Sequence, residues 1–121
     1  LLVTETVLKR LRLHADKTLK APNTGYLNAT ELADYMVRKG VPFRTAHDSV
    51  GQIVLLAISQ NKEINDLGLE ELKTFSESIE ADVFEALSLE NTLASKNQIG
   101  GTSPERVFQA LSAAKKKLNL D

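Results

Sequence analysis

This chain has no cysteine. Disulfides, thiolate zinc sites and cysteine nucleophiles are therefore excluded, and a reducing compartment is compatible with it. No apolar run approaches the roughly 20 residues that a membrane helix needs. The longest, Ile53–Ile58, reads as buried helix. There is no excess of positive charge to mark a nucleic-acid or acidic-membrane partner, since the net charge is −1. No segment alternates with period two over the length of a strand, and no Asn-Gly hairpin turn occurs. The two histidines, His14 and His47, stand far apart and belong to no metal-binding pair. No signal peptide is visible. The chain opens without methionine on LLVTETVLKRL, already in helical rhythm, which reads as a piece cut from a longer protein.

What is present is helix, in 121 residues that suffice for one domain with its own core. Residues 1 to about 20 carry Leu8, Leu11, Ala15 and Leu19 at helical spacing, and Leu1, Leu2, Val3, Val7 and Leu13 make the start apolar on several sides. Pro22 and Gly25 end this helix. A second runs from about Ala29 to Lys39, with Asn28 and Glu31 spaced as a capping box and Leu32, Tyr35 and Met36 as the buried stripe. Gly40 suits a left-handed C-terminal position and Pro42 blocks continuation. The third helix, about Arg44 to Asn61, is the expected centre. Phe43, Ala46, Val50, Ile53, Val54 and Ala57 line one side, and Gly51 reads as a point of close helix packing.

Beyond it the pattern predicts a short helix near Leu69, capped at Asp66 or Gly68, with Leu72, Phe75 and Ile79 on one face. One or two helical pieces follow between Asp82 and Lys96. In the last helix Val107, Leu111, Ala114 and Leu118 are expected to face inward, and Lys115, Lys116 and Lys117 suit the negative end of its dipole. Its cap is either Thr102, with Glu105 as partner, or Ser103, with Pro104 in the first turn. The expectation is an all-α fold of five to seven helices without a sheet, its core being helix three surrounded by helices two, four and the last.

Chemistry is sparse. The acidic residues from Glu70 to Glu85 interleave with apolar stripes and read as solvated faces. Ser112 to Lys115 spells Ser-x-x-Lys without companion motifs, a chance match in a lysine-rich helix. Gly100-Gly101-Thr102 reads as a tight turn rather than an anion cradle. The joint between helices two and three holds the one suggestive cluster, Arg38, Lys39 and Arg44, with His47 beside it. The dipole accounts for Arg38 and Lys39 at a helix end. Arg44 sits at a helix start, where a cation is disfavoured and needs a partner, either a carboxylate or an anion. His47 reads as a boundary residue with a structural hydrogen bond.

The stretch from Asn28 to Gly51, NATELADYMVRKGVPFRTAHDSVG, closely resembles the C-terminal region of argininosuccinate lyases, matching nearly every fixed position of their pattern between Ala29 and His47. SKNQIGGTSPERV, Ser95 to Val107, is similar to their later Gly-Gly-Thr-x-Pro signature. The resemblance spans about residues 24–110. Thr45 and Asp48 fall where the family varies, and Ser103 stands where alanine is common, which favours Thr102 as the cap.

The resemblance implies a small helical C-terminal domain of a fumarase/aspartase-type lyase. Residues 1–23 would be the end of a central-bundle helix and residues 24–121 the domain itself. It further implies a cytoplasmic homotetramer of arginine biosynthesis that needs no cofactor and splits argininosuccinate into arginine and fumarate by β-elimination. The family's catalytic histidine, mobile-loop serine and Gly-Ser-Ser-x-Met-Pro signature lie upstream, so no catalytic residue carries over to this chain. Its expected partners are the rest of the lyase chain and the tetramer, with self-association through helix one in isolation. Arg38, Lys39, Arg44 and His47 remain as corner or active-site-mouth candidates. The alternative is a free-standing helical interaction module of the same fold.

Overall fold

The computed structural model describes residues 2–120, apart from the side chain of Asn23. Among these residues the structure is all-α: α1 (Leu2–Arg10), α2 (Ala15–Lys20), α3 (Ala29–Arg38), α4 (Phe43–Ser59), α5 (Leu69–Lys73), α6 (Val83–Ala86), α7 (Leu89–Ser95) and α8 (Pro104–Leu118). Two short 3₁₀ turns, Ala21–Asn23 and Ile64–Asp66, complete it. The all-helical class is as expected. The helix count exceeds the expected range because the first helix is broken. Residues 11–14 leave the helix, and His14 takes φ −92° and ψ 82°. No residue of α1 or α2 is buried, so nothing offsets the cost of holding a long helix together in water. The expected apolar contribution of Leu1 lies outside the described residues.

The core forms where α3 and α4 pack on each other. Leu32 and Met36 of α3 and Ala46, Ile53 and Ala57 of α4 are fully buried. Ile64, Leu72, Ile79 and Val83 close the far side, and α6 lies against α3. Burying each large aliphatic side chain contributes about 1.5–3 kcal/mol.

The α3–α4 corner is built by its backbone. Gly40 takes φ +93°. Its N–H donates to the Val37 carbonyl at 2.9 Å and the Val41 N–H to the Met36 carbonyl at 3.0 Å. This paired closure satisfies two carbonyls at the end of α3 and turns the chain. Asn61 repeats the device after α4 at φ +53°, with the Lys62 N–H donating to the Ala57 carbonyl at 2.9 Å.

Several local expectations are corrected. The Asn28–Glu31 capping box does not form. Asn28 already has helical dihedrals, and its side-chain amide donates to Asn65 Oδ1 at 3.0 Å. Glu31 instead receives Lys96 at 2.7 Å. In both cases a tertiary partner wins over a local one. Gly51 is not a packing point, because a Cβ there would meet nothing within 4 Å. Phe43 is exposed and Val54 only half-buried, so the buried side of α4 is narrower than its apolar side.

α5 ends at Lys73, so Phe75 and Ile79 reach the core from the irregular segment after it rather than from its face. Gly68 is its cap position, and its N–H donates to Glu71 Oε2 at 2.7 Å. α8 buries nothing. Val107, Leu111, Ala114 and Leu118 are all exposed, and the last helix takes no part in the core. Its cap is Ser103 rather than Thr102: the Ser103 Oγ accepts from the Arg106 N–H at 3.3 Å, with Pro104 in the first turn. The preceding Gly-Gly pair is a tight turn. A Cβ on Gly101 would lie 2.0 Å from the Lys96 carbonyl oxygen, so only glycine fits.

Candidate functional site: the helical corner and its acidic tether

The four candidate residues share a corner in sequence but have different surroundings. Lys39, in the last turn of the second predicted helix, is the tethered one. Its Nζ lies 2.5 Å from Glu80 Oε2 and 3.0 Å from Asp82 Oδ2, and 5.5 Å from the centre of the Tyr35 ring. The buried Tyr35 completes the cluster. Its hydroxyl donates to Asp82 Oδ1 and accepts from the Glu80 N–H at 3.1 Å. Four groups thus join the end of α3 to the segment entering α6.

The charge states follow from these contacts. Bonding to Glu80, and then to Asp82, holds the Lys39 ammonium well above the usual lysine range. The Tyr35 hydroxyl, followed by Lys39, holds the Asp82 carboxyl below its ordinary value. Burial, reinforced by the Asp82 bond, pushes the Tyr35 phenol up. At neutral pH Lys39 is therefore a fixed ammonium, Asp82 a fixed carboxylate and Tyr35 a neutral phenol. None of these three is poised to exchange a proton, which general acid–base catalysis near pH 7 requires.

Arg38 lines a cleft of about 300 Å³ with Glu31, Asp82, Glu85, Asn91 and Ser95. His47 belongs to a different cavity, an apolar groove of about 280 Å³ over α4, where its ring stands 6.2 Å from that of Phe43. Arg44 is exposed and, among the described residues, has no ion pair. The carboxylates that hold the corner belong to Lys39 instead. Sequence reasoning placed Tyr35 in the core but took Glu80 and Asp82 for a solvated face. The available signal was Tyr35 itself, because a buried phenol needs a partner for its hydroxyl. Lys96 was also overlooked. It binds Glu31 at 2.7 Å and lies 3.9 Å from Asp34, tying the loop before α8 to α3.

A helical core, a corner tied by Lys39 to Glu80 and Asp82, and exposed helices at both ends make this a small all-helical domain. Residues 26–94 match the model of the argininosuccinate lyase C-terminal family, and the chain belongs to that family. It is 44% identical to the argininosuccinate lyase of Janthinobacterium over 95% of its own length, which is 27% of that protein. It is 46% identical to the argininosuccinate lyase of Nitrosococcus oceani over 93% of its length, 24% of that protein. With the argininosuccinate lyase of Ruthia magnifica it shares 45% identity over 93% of its length, 23% of that protein. The chain thus spans about a quarter of the length of the curated relatives it matches.

Proposed function

We propose that this chain serves as the C-terminal part of an argininosuccinate lyase, a cytoplasmic homotetramer that splits argininosuccinate into arginine and fumarate by β-elimination. In that reading residues 1–23 continue a helix of the central bundle and residues 24–121 cap the end of the bundle. The observation that carries it is the identity of 44–46% sustained along more than nine-tenths of the chain. The fully exposed α1 and α2 support the division, because their leucines need helices to lie against. By itself the chain is catalytically inactive.

The corner is structural in this reading. Lys39 fixes the end of α3 to α6 through Glu80 and Asp82. Arg38, Arg44 and His47 face outward from the corner, where a partner surface or the mouth of the active site would meet them.

The test is a chimera. The C-terminal quarter of the Janthinobacterium lyase is replaced by this chain, and fumarate release is followed alongside the truncated enzyme and the chain alone. Activity in the chimera, with none in either separate piece, is the expected result. A folded, tetrameric and inactive chimera overturns the assignment. Cleavage by the chain alone overturns the claim that the chemistry lies elsewhere.

A further inference from the structure

The least expected surface of this molecule is the outer face of α4. Phe43, His47, Gly51 and Leu55 follow one another at four-residue spacing and form the floor of the 280 Å³ groove, with Ala33 of α3 on its wall. Phe43 is 63% and Leu55 67% exposed. Above Gly51 the groove has an open slot, since even a Cβ would touch nothing there. A helix-long apolar groove of this kind takes an amphipathic helix.

The chain carries a helix that fits. α8 has 15 residues against the 17 of α4 and buries none of them. Val107, Leu111, Ala114 and Leu118 form its apolar stripe, and Phe108, 69% exposed, stands beside it. The charges also match. Residues 24–100 hold six Lys or Arg against twelve Asp or Glu, whereas α8 holds four against one. The single acid of α8, Glu105, is at its start, as the unpaired Arg44 is at the start of α4. At the far end of α4, Gln60 binds Glu71 at 2.8 Å, which brings the acidic start of α5, Glu70 and Glu71, beside it. α8 ends in lysines, among them Lys116 and Lys117.

We propose that the groove on α4 is the docking site for α8 of a second copy of this chain, lying parallel to α4. Glu105 then meets Arg44, Lys116 and Lys117 meet the acidic start of α5, and Phe108 and Leu111 fill the slot over Gly51. The rise of a helix places Glu105 and Lys117 about 18 Å apart, which fits the roughly 22 Å from Arg44 to Ser59. Reciprocated about a two-fold axis, the contact closes as a dimer. This inference is independent of the catalytic reading, since it concerns a surface of the 121-residue chain alone.

Sedimentation equilibrium of the chain across the micromolar range reads the association. A reversible dimer is expected. Leu55→Glu and Leu111→Glu lie at exposed positions and leave the circular dichroism unchanged, and each weakens dimerisation by about tenfold or more. Arg44→Glu and Glu105→Arg each weaken it about threefold, and together they restore it. A strictly monomeric chain overturns the proposal. So does a dimer that ignores Leu55→Glu and Leu111→Glu but is lost when residues 1–20 are removed, which would make the first helices the contact. A monomer that binds anionic vesicles through α8 would also overturn it, in favour of a lipid surface.

Discussion

The body between Tyr26 and Leu93 and the helices that flank it use the same kind of sequence and reach opposite ends. α3 and α8 are both amphipathic, with apolar residues at helical spacing. α3 buries four residues and α8 none. The difference lies in what surrounds them. α3 has α4 and α6 to lie against, while α8 is joined to the body through the Ser103 turn and the contact of Arg106 with the Asn97 carbonyl. An amphipathic pattern specifies that a helix has a face to bury. It does not specify that the partner lies in the same 121 residues.

The widest gap between the two regions should appear on truncating a large side chain. Ile53→Ala, at a fully buried site, should cost about 2–5 kcal/mol of unfolding free energy in urea. Leu111→Ala, at a site 54% exposed, should cost under about 0.5 kcal/mol when measured below any associating concentration. Comparable losses would abolish the distinction between a packed body and unpacked ends.

Next in size is the tether. Tyr35→Phe keeps the ring in the core and removes the hydroxyl that serves Asp82 and the Glu80 N–H. A loss of about 1–2 kcal/mol in thermal or urea unfolding is expected. No loss would make the cluster a surface ornament rather than a tie between α3 and α6.

Two glycines sharpen the comparison within one helix pair. Gly40→Ala forces a left-handed conformation at φ +93° on alanine and should destabilise by about 1 kcal/mol. Gly51→Ala, in a helix interior with open space above it, should stabilise by up to about 1 kcal/mol. Opposite signs are expected in the same unfolding assay, and matching signs would contradict the geometry of one site or the other.

The smallest effect is the pH dependence of the tether, because its carboxylates are exposed and screened. Asp82 has a lowered value in the folded state. Its contribution is therefore present above the ordinary carboxylate range and is lost as pH falls through the lowered folded value. Lys39 is raised, so its contribution is present at neutral pH and is lost only on strong alkalinisation. Asp82→Asn should accordingly flatten part of the acid limb of the stability curve and leave the neutral-to-alkaline shape nearly intact. An unchanged acid limb would remove Asp82 from the account.

Much of the fold was legible from residues alone. Leu32, Tyr35, Met36, Ala46, Val50, Ile53 and Ala57 are buried as their spacing predicts, and Gly40 and Pro42 turn the chain where they should. The candidate site was legible only in half. The cations were visible as a cluster, but Lys39 stands out among them because Glu80 and Asp82, some forty residues later, converge on it. Arg44, singled out by dipole reasoning, has no carboxylate within the described residues of its own chain.

By itself the sequence determined the helical class, the α3–α4 corner and the family. These depend on local periodicity, on glycine at a left-handed position and on a long run of matched residues. Only the tertiary structure decided that Asn28 and Glu31 serve Asn65 and Lys96 rather than each other, and that Lys39 is the anchored cation. It also decided that Gly51 opens a groove and that the apolar faces of α1, α2 and α8 lie uncovered. The physical reason is common to all of these. A side chain's free energy depends on the partner that reaches it, and partners far apart in the chain are brought together only by packing.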